Sequence, residues 1–137
     1  MGDLPEVLFM CTDNAGRSQM AAALLAREGA GRVRVTSAGS QPVGAVNPAV
    51  VAAMAEAGID ISAEVPAALR PGQAEAADVV VRTGCGDACP VFPGKRYPDW
   101  QLPGPAGLSA GHVRPIRDEI ARRVRALLAE LAAGGRG

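Results

Sequence analysis

Cys11 opens the stretch Cys11-Thr12-Asp13-Asn14-Ala15-Gly16-Arg17-Ser18, and two further cysteines, Cys85 and Cys89, stand four positions apart. A cysteine thiolate is both nucleophile and electron donor, so these three sulfurs are where covalent or redox chemistry would reside. The apolar run Glu6-Val7-Leu8-Phe9-Met10 precedes Cys11, and a segment of helical spacing follows Ser18. The stretch is therefore a strand-to-helix loop, at the carboxyl end of a strand where α/β proteins usually hold ligands. There the backbone N–H groups of residues 12 to 16 and the positive end of the helix face one centre, a cradle for a tetrahedral oxyanion. Arg17, six positions after Cys11, can aim a planar guanidinium fork at two oxygens of that anion. The same field favours a thiolate at Cys11. Ser18 has two available jobs, capping the helix or donating to the sulfur. A bare Cys-x5-Arg match is also met as a buried cysteine with a surface arginine nearby; the strand before and the helix after favour the chemical reading.

The elements that must position this loop can be read from hydrophobic spacing. Glu6–Met10 reads as a buried strand, and Ser18 to about Glu28 as a helix with Met20, Leu24 and Leu25 on its apolar side, stopped by Gly29 and Gly31. Arg32–Thr36 alternates as a half-exposed strand, with Ser37-Ala38-Gly39-Ser40 as the following loop. Asn47-Pro48 starts a second helix that Gly58 ends, since asparagine caps and proline fits the first helical turn. Residues 60 to 77 hold at most one short helix. Asp78–Arg82 is a third strand, apolar throughout its centre as a covered parallel strand is. Residues 84 to 94 read as loop and 95 to 102 as a short edge strand, where Pro98 is tolerable. In the last helix Ile116, Ile120, Val124, Leu127, Leu128 and Leu131 form one stripe. Alternating strands and helices predict a three-layer α/β domain over residues 1 to 137, with a mainly parallel four-stranded sheet between helices.

Composition excludes several classes. The chain has 137 residues, 48% hydrophobic and 20% charged, enough apolar material for a core and too little charge for a disordered segment. Fourteen basic residues balance fourteen acidic ones, and aromatics are 3%, so neither the field nor the stacking surface for nucleic acid is present. No run reaches the roughly 18 apolar residues of a membrane helix, and the first residues lack the pattern of a secretory signal. Three cysteines, an odd number, suit thiols in a reducing cytoplasm better than a secreted disulfide framework. His112 and the arginines 114, 117, 122, 123 and 125 read as solvated, because Asp118, Glu119 and Glu130 interleave the latter.

The run from Val7 to Ala21 resembles the N-terminus of the thiol-linked arsenate reductases, which share the low-molecular-weight tyrosine phosphatase fold. The resemblance continues through Ser37-Ala38-Gly39, Asn47-Pro48, Gly58–Ser62, Gly84-Cys85-Gly86-Asp87-Ala88-Cys89-Pro90 and Val113–Ile120, nearly the whole chain. It implies that Cys11 attacks arsenate, with Thr12, Asp13, Asn14, Ala15, Gly16, Arg17 and Ser18 holding the anion. Cys85 would then form a disulfide with Cys11 as arsenite leaves. Cys89 would take that disulfide over, for reduction by thioredoxin or by another thiol reductant. No metal or organic cofactor is implied, and phosphate and sulfate would compete as oxyanions. A structural zinc site needs four ligands, and the only histidine lies far along the chain. Inert thiols, a non-enzymatic arsenite-binding or redox-sensing protein, and a phosphatase working through a cysteinyl-phosphate remain the alternatives.

The chain departs from the pattern in places. Gly104 stands where relatives carry a general-acid aspartate before a proline, and Asp99 is the nearby carboxylate. Losing that acid should slow release of an alkoxide from a phosphate ester by about 10²–10⁴-fold. Arsenate loses only an oxygen of its own, as water. Of the positions that build a potassium site in some relatives, Asn14 and Ser37 match, whereas Ala22 and Ala67 replace carboxylates, so potassium is not expected. Asp13 is expected to point to solvent, away from the anion.

Overall fold

Glu6–Cys11 forms β1, and Val7, Leu8, Phe9, Met10 and Cys11 are each at most 2% exposed. A strand covered on both faces has no polar side to alternate, which is why this run is continuously apolar. The computed structural model describes residues 4 to 12, 14 to 83, 100 and 109 to 134. Beyond β1 these contain α1 (Arg17–Gly29), β2 (Arg34–Gly39), α2 (Pro48–Glu56), α3 (Gln73–Ala76), β3 (Val79–Arg82) and α4 (Ala110–Gly134).

The strands form a parallel sheet in the order β2-β1-β3. Glu6 pairs with Arg34 and Cys11 with Gly39 on one side; Val7 pairs with Val79 and Met10 with Arg82 on the other. The chain leaves β1 toward one neighbour and later returns to the opposite one, so the order reverses at the carboxyl end of β1, where α/β sheets open a ligand crevice. Cys11 occupies that point. The expected sheet has four strands, and the described residues supply three. Of the expected edge strand at 95 to 102 only Trp100 is described, its N–H bonded to the Arg82 carbonyl at 2.8 Å.

The two sheet faces are covered differently, giving the three expected layers. Val7, Phe9, Val79 and Val81 face a large core with Met20, Leu24 and Leu25 of α1, Val50 and Met54 of α2, and Val113, Ile116, Ile120, Val124 and Leu127 of α4. Trp100 joins it against Phe9, the two rings tilted at 54° with centroids 5.6 Å apart. Leu8, Met10 and Val80 face Ala74, Ala77 and Leu69 around α3. Full burial of each large apolar side chain contributes about 1.5–3 kcal/mol. The predicted α4 stripe is inside at Ile116, Ile120, Val124 and Leu127 and half-buried at Leu128 and Leu131.

Several boundaries differ from the sequence reading. Ser37-Ala38-Gly39, expected as loop, is the end of β2, held in register by Phe9, Met10 and Cys11. Helix α1 begins at Arg17, is closed by Ala30 in the left-handed conformation (φ 46°), and takes no cap from Ser18. Asn47 does cap α2, accepting from Ala49 N–H at 2.9 Å. His112 lies within the first turn of α4, exposed, 2.9 Å from the Ser109 hydroxyl.

Four arginines of α4 are tied to acids. Arg114 grips Glu56 through Nε–Oε1 at 2.6 Å and Nη2–Oε2 at 2.8 Å, and Arg117 adds bonds to Glu56, Asp118 and the Ala53 carbonyl. Arg122 and Arg123 pair with Glu119. The Arg114 hydrogen bond, ahead of the other causes, holds the Glu56 carboxyl below the ordinary glutamate range. A carboxyl lowered on folding adds stability above its unfolded value, and that contribution disappears as pH falls through the folded one. Glu56→Gln should therefore lower the urea midpoint slightly at neutral pH, and the gap should close in acid. A gap that persists unchanged in acid would contradict this.

Candidate functional site

The loop after β1 is built around the Cys11 sulfur. Asn14 N–H donates to Sγ at 3.1 Å, and the Ser18 hydroxyl lies 2.9 Å from it. Asn14 Nδ2 donates to Ser18 Oγ at 2.7 Å. An amide nitrogen carries only hydrogens, so Ser18 must accept there, and its own proton is left to turn toward the sulfur. Of the two roles open to Ser18, the structure gives it the second. Both contacts can thus present donors to a sulfur anion.

With no side chain capping α1, whose N-cap is Gly16, the N-terminus that a cap would close stays open to an anion. Arg17 is the first residue of α1 and half-buried; Ser18, Asn14, Ala15 and Gly16 are buried. The connection from β2 to α2 fixes the loop backbone from outside. Ser40 N–H bonds the Cys11 carbonyl at 3.0 Å, Gln41 N–H the Thr12 carbonyl at 2.8 Å and Asn47 N–H the Ala15 carbonyl at 2.9 Å. On the other side Thr83, fully buried, places both its N–H and its hydroxyl on the Met10 carbonyl at 2.8 and 2.9 Å.

Asn14 is the hub. It is 1% exposed and adopts φ 52°, a left-handed conformation that asparagine tolerates better than most residues. Its Oδ1 accepts from Ala67 N–H at 2.9 Å and lies 3.3 Å from Gln19 Nε2, which also donates to its main-chain carbonyl at 3.1 Å. Sequence reading placed Asn14 in the cradle but missed Gln19 and the Ala67 backbone. Gln19 sits where a helix-cap partner is common, a signal that could have drawn attention to it. Asp13, Cys85, Cys89, Asp99 and Gly104 lie outside the described residues.

Behind the loop is a cavity of about 350 Å³ whose walls include Asn14, Ala22, Ser37 and Ala67, the four positions matched to the potassium site of some relatives. Ala22 and Ala67 bring methyl groups there, Asn14 Oδ1 is already engaged, and the one carboxylate on the described wall is the exposed Glu64. This donor set does not fit potassium, and no chemistry is routed through it.

A parallel α/β sheet whose central strand ends in a hydrogen-bonded cysteine, followed by an anion loop and an uncapped helix, defines the class of cysteine-dependent, oxyanion-handling domains. The family comparison narrows the class: residues 6–136 match the low molecular weight phosphotyrosine protein phosphatase model, and the chain belongs to that family. Among curated relatives, the glutaredoxin arsenate reductase of Synechocystis is 36% identical over 132 residues, covering 94% of this chain and all of its own. Among solved structures, the thioredoxin-dependent arsenate reductase of Corynebacterium glutamicum superposes with a TM-score of 0.81 at 39% identity, covering 96% of this chain, which spans 63% of that one. An arsenate reductase in the phosphate-binding state gives 0.82 at 34% identity, over 93% of this chain and 98% of that one.

Proposed function

We propose that this protein reduces arsenate to arsenite by a cysteine thiol relay, an arsenic-detoxifying activity, working as a single domain in the reducing cytoplasm. The observation that carries the reading is the Cys11 sulfur, bonded by Asn14 N–H and adjacent to the Ser18 hydroxyl at the open end of α1. The names of the similar proteins supply the substrate. In the proposed site the amides of residues 12 to 16 and the Arg17 guanidinium hold the oxyanion, and Thr12, Asp13, Asn14, Ala15, Gly16 and Ser18 shape the cradle. Phosphate and sulfate compete for it.

Cys11 attacks arsenic(V), and one arsenate oxygen leaves as water on protons the substrate carries. Cys85 then attacks the Cys11 sulfur. The electron pair of the sulfur–arsenic bond goes to arsenic, which departs as arsenite, and a Cys11–Cys85 disulfide remains. Cys89 attacks Cys85 in turn, freeing Cys11 and leaving a Cys85–Cys89 disulfide for an external dithiol, thioredoxin or a glutaredoxin-type partner. The topology supports the middle step. Thr83 is bonded to the residue before Cys11, and Cys85 is two residues further along the chain, a covalent reach of at most about 7 Å. A disulfide needs Cα atoms about 4.4–6.8 Å apart. The fourth strand of the expected sheet would extend from the β3 edge, where Trp100 N–H bonds Arg82.

The family description favours a second reading, a phosphatase passing through a cysteinyl-phosphate, because the same loop suits either oxyanion. Two assays separate them: arsenate-dependent NADPH consumption with a thioredoxin system, and hydrolysis of an aryl phosphate. Reduction with little hydrolysis is expected; hydrolysis without reduction would overturn the proposal. Cys85→Ser should stop catalytic turnover with Cys11 carrying arsenic by mass mapping, whereas a phosphatase would turn over unaffected.

A further inference from the structure

We infer that Gln19 is a positioning residue for the nucleophile, acting through Asn14 and Ser18. It is the third residue of α1, 4% exposed, beside the core residues Met20 and Ala21. A glutamine at this helical position commonly reaches back toward the cap residue's N–H. Here it turns inward instead, and its single Nε2 serves both carbonyl oxygens of Asn14, main chain at 3.1 Å and side chain at 3.3 Å. Burying an amide is unfavourable unless it is hydrogen-bonded, and an apolar side chain of the same length would fill this space. The amide group is explained by what it does to Asn14.

That effect is directional. With Gln19 and Ala67 N–H both donating toward Oδ1, the Asn14 amide has one favourable orientation, Nδ2 facing Ser18. Ser18 Oγ accepts from Nδ2 and so presents its proton to the Cys11 sulfur. The bond to the main-chain carbonyl holds Asn14 in its left-handed conformation, from which its N–H reaches the same sulfur. The chain Gln19 to Asn14 to Ser18 to Cys11 is a polarised series of donors in a buried setting, in which each bond orients the next.

The inference rests on Cys11 being the nucleophile, and the test separates the two. The rate of iodoacetamide modification at Cys11 is measured on the reduced full-length protein, with the site assigned by peptide mass. Wild-type Cys11 reacting no faster than glutathione would sink the nucleophile itself. Given a reactive wild type, Gln19→Met and Ser18→Ala should each slow Cys11 by on the order of tenfold, the size of one hydrogen bond. The double variant should be no slower than the slower single variant within about twofold, because both remove the same series. A Gln19→Met rate within about twofold of wild type, or losses that multiply in the double variant, would overturn the inference; a purely structural role predicts multiplication. Gln19→Glu, of the same shape, keeps the test available if Gln19→Met does not fold. Its carboxylate faces two carbonyl oxygens, so it should slow Cys11 at least as much, and an unchanged rate would refute the proposed role.

Discussion

Cys11→Ser should reduce arsenate turnover to the uncatalysed background, a loss on the order of 10⁴-fold or more, while phosphate binding stays within a few-fold of wild type. The argument is about electrons as much as nucleophilicity. A serine hydroxyl could at most form an arsenate ester; it offers no sulfur for Cys85 to attack, so no disulfide forms and no electron pair is released to arsenic. It also lacks the ready ionisation of a thiol, and among the described residues the hydrogen-bond partners of the Cys11 sulfur, the Asn14 N–H and the Ser18 hydroxyl, include no carboxylate or imidazole base. Binding should survive because the proposed cradle uses main-chain amides and the open end of α1, and Ser40, Gln41 and Asn47 hold that loop through its carbonyls whatever stands at position 11. Calorimetric titration with phosphate and a coupled arsenate assay decide the matter. Multiple turnovers by the serine variant would remove Cys11 from the mechanism, and loss of phosphate binding in a folded variant would remove the cradle as described.

How much of this could be read from residues alone depends on how local each feature is. β1, β3, the Asn47 cap and the α4 stripe come from hydrophobic period and one capping residue, and the structure has them where expected. The end of β2 was hidden because Ser37, Ala38 and Gly39 have little strand preference of their own. They extend the strand because Phe9, Met10 and Cys11 offer a register to pair with. Ser18 was legible as a cap by the local rule, and the structure breaks that rule where a ligand would use the open helix end. The Asn14 hub was least legible, since its left-handed backbone and amide orientation depend on Gln19 and on Ala67, 53 residues away. The cysteine pair is the reverse case: its chemistry reads from sequence, and its geometry lies outside the described residues.

Gly39→Ala should cost about 10²-fold in kcat/KM for arsenate, the scale expected when a reacting group is misplaced by about 1 Å, although Gly39 has no side chain to take part in the reaction. It is paired with Cys11 at the end of β2, and a methyl group there would lie 2.7 Å from the Thr12 carbonyl oxygen, 3.0 Å from Asn14 Cβ and 3.1 Å from Asn14 N. Two of these are backbone atoms of the loop after β1, so the contact cannot be relieved by turning a side chain. β2 itself is pinned by its pairing with β1 and by Gly39 N–H on the Ala67 carbonyl at 2.8 Å. The loop is therefore the part that must yield. Displacing Asn14 moves the N–H that bonds the sulfur and the amide that orients Ser18, so activity should fall further than stability, for which overpacking predicts about 1–3 kcal/mol. Gly44→Ala is the control: it lies in the same connection to α2, no atom of the described residues beyond its chain neighbours comes within 4 Å of the added methyl group, and it should be silent in both measurements. If Gly39→Ala turns over like wild type, the close approach of β2 does not set the shape of the loop. If it loses stability and activity in equal measure, the glycine serves the fold and not the site.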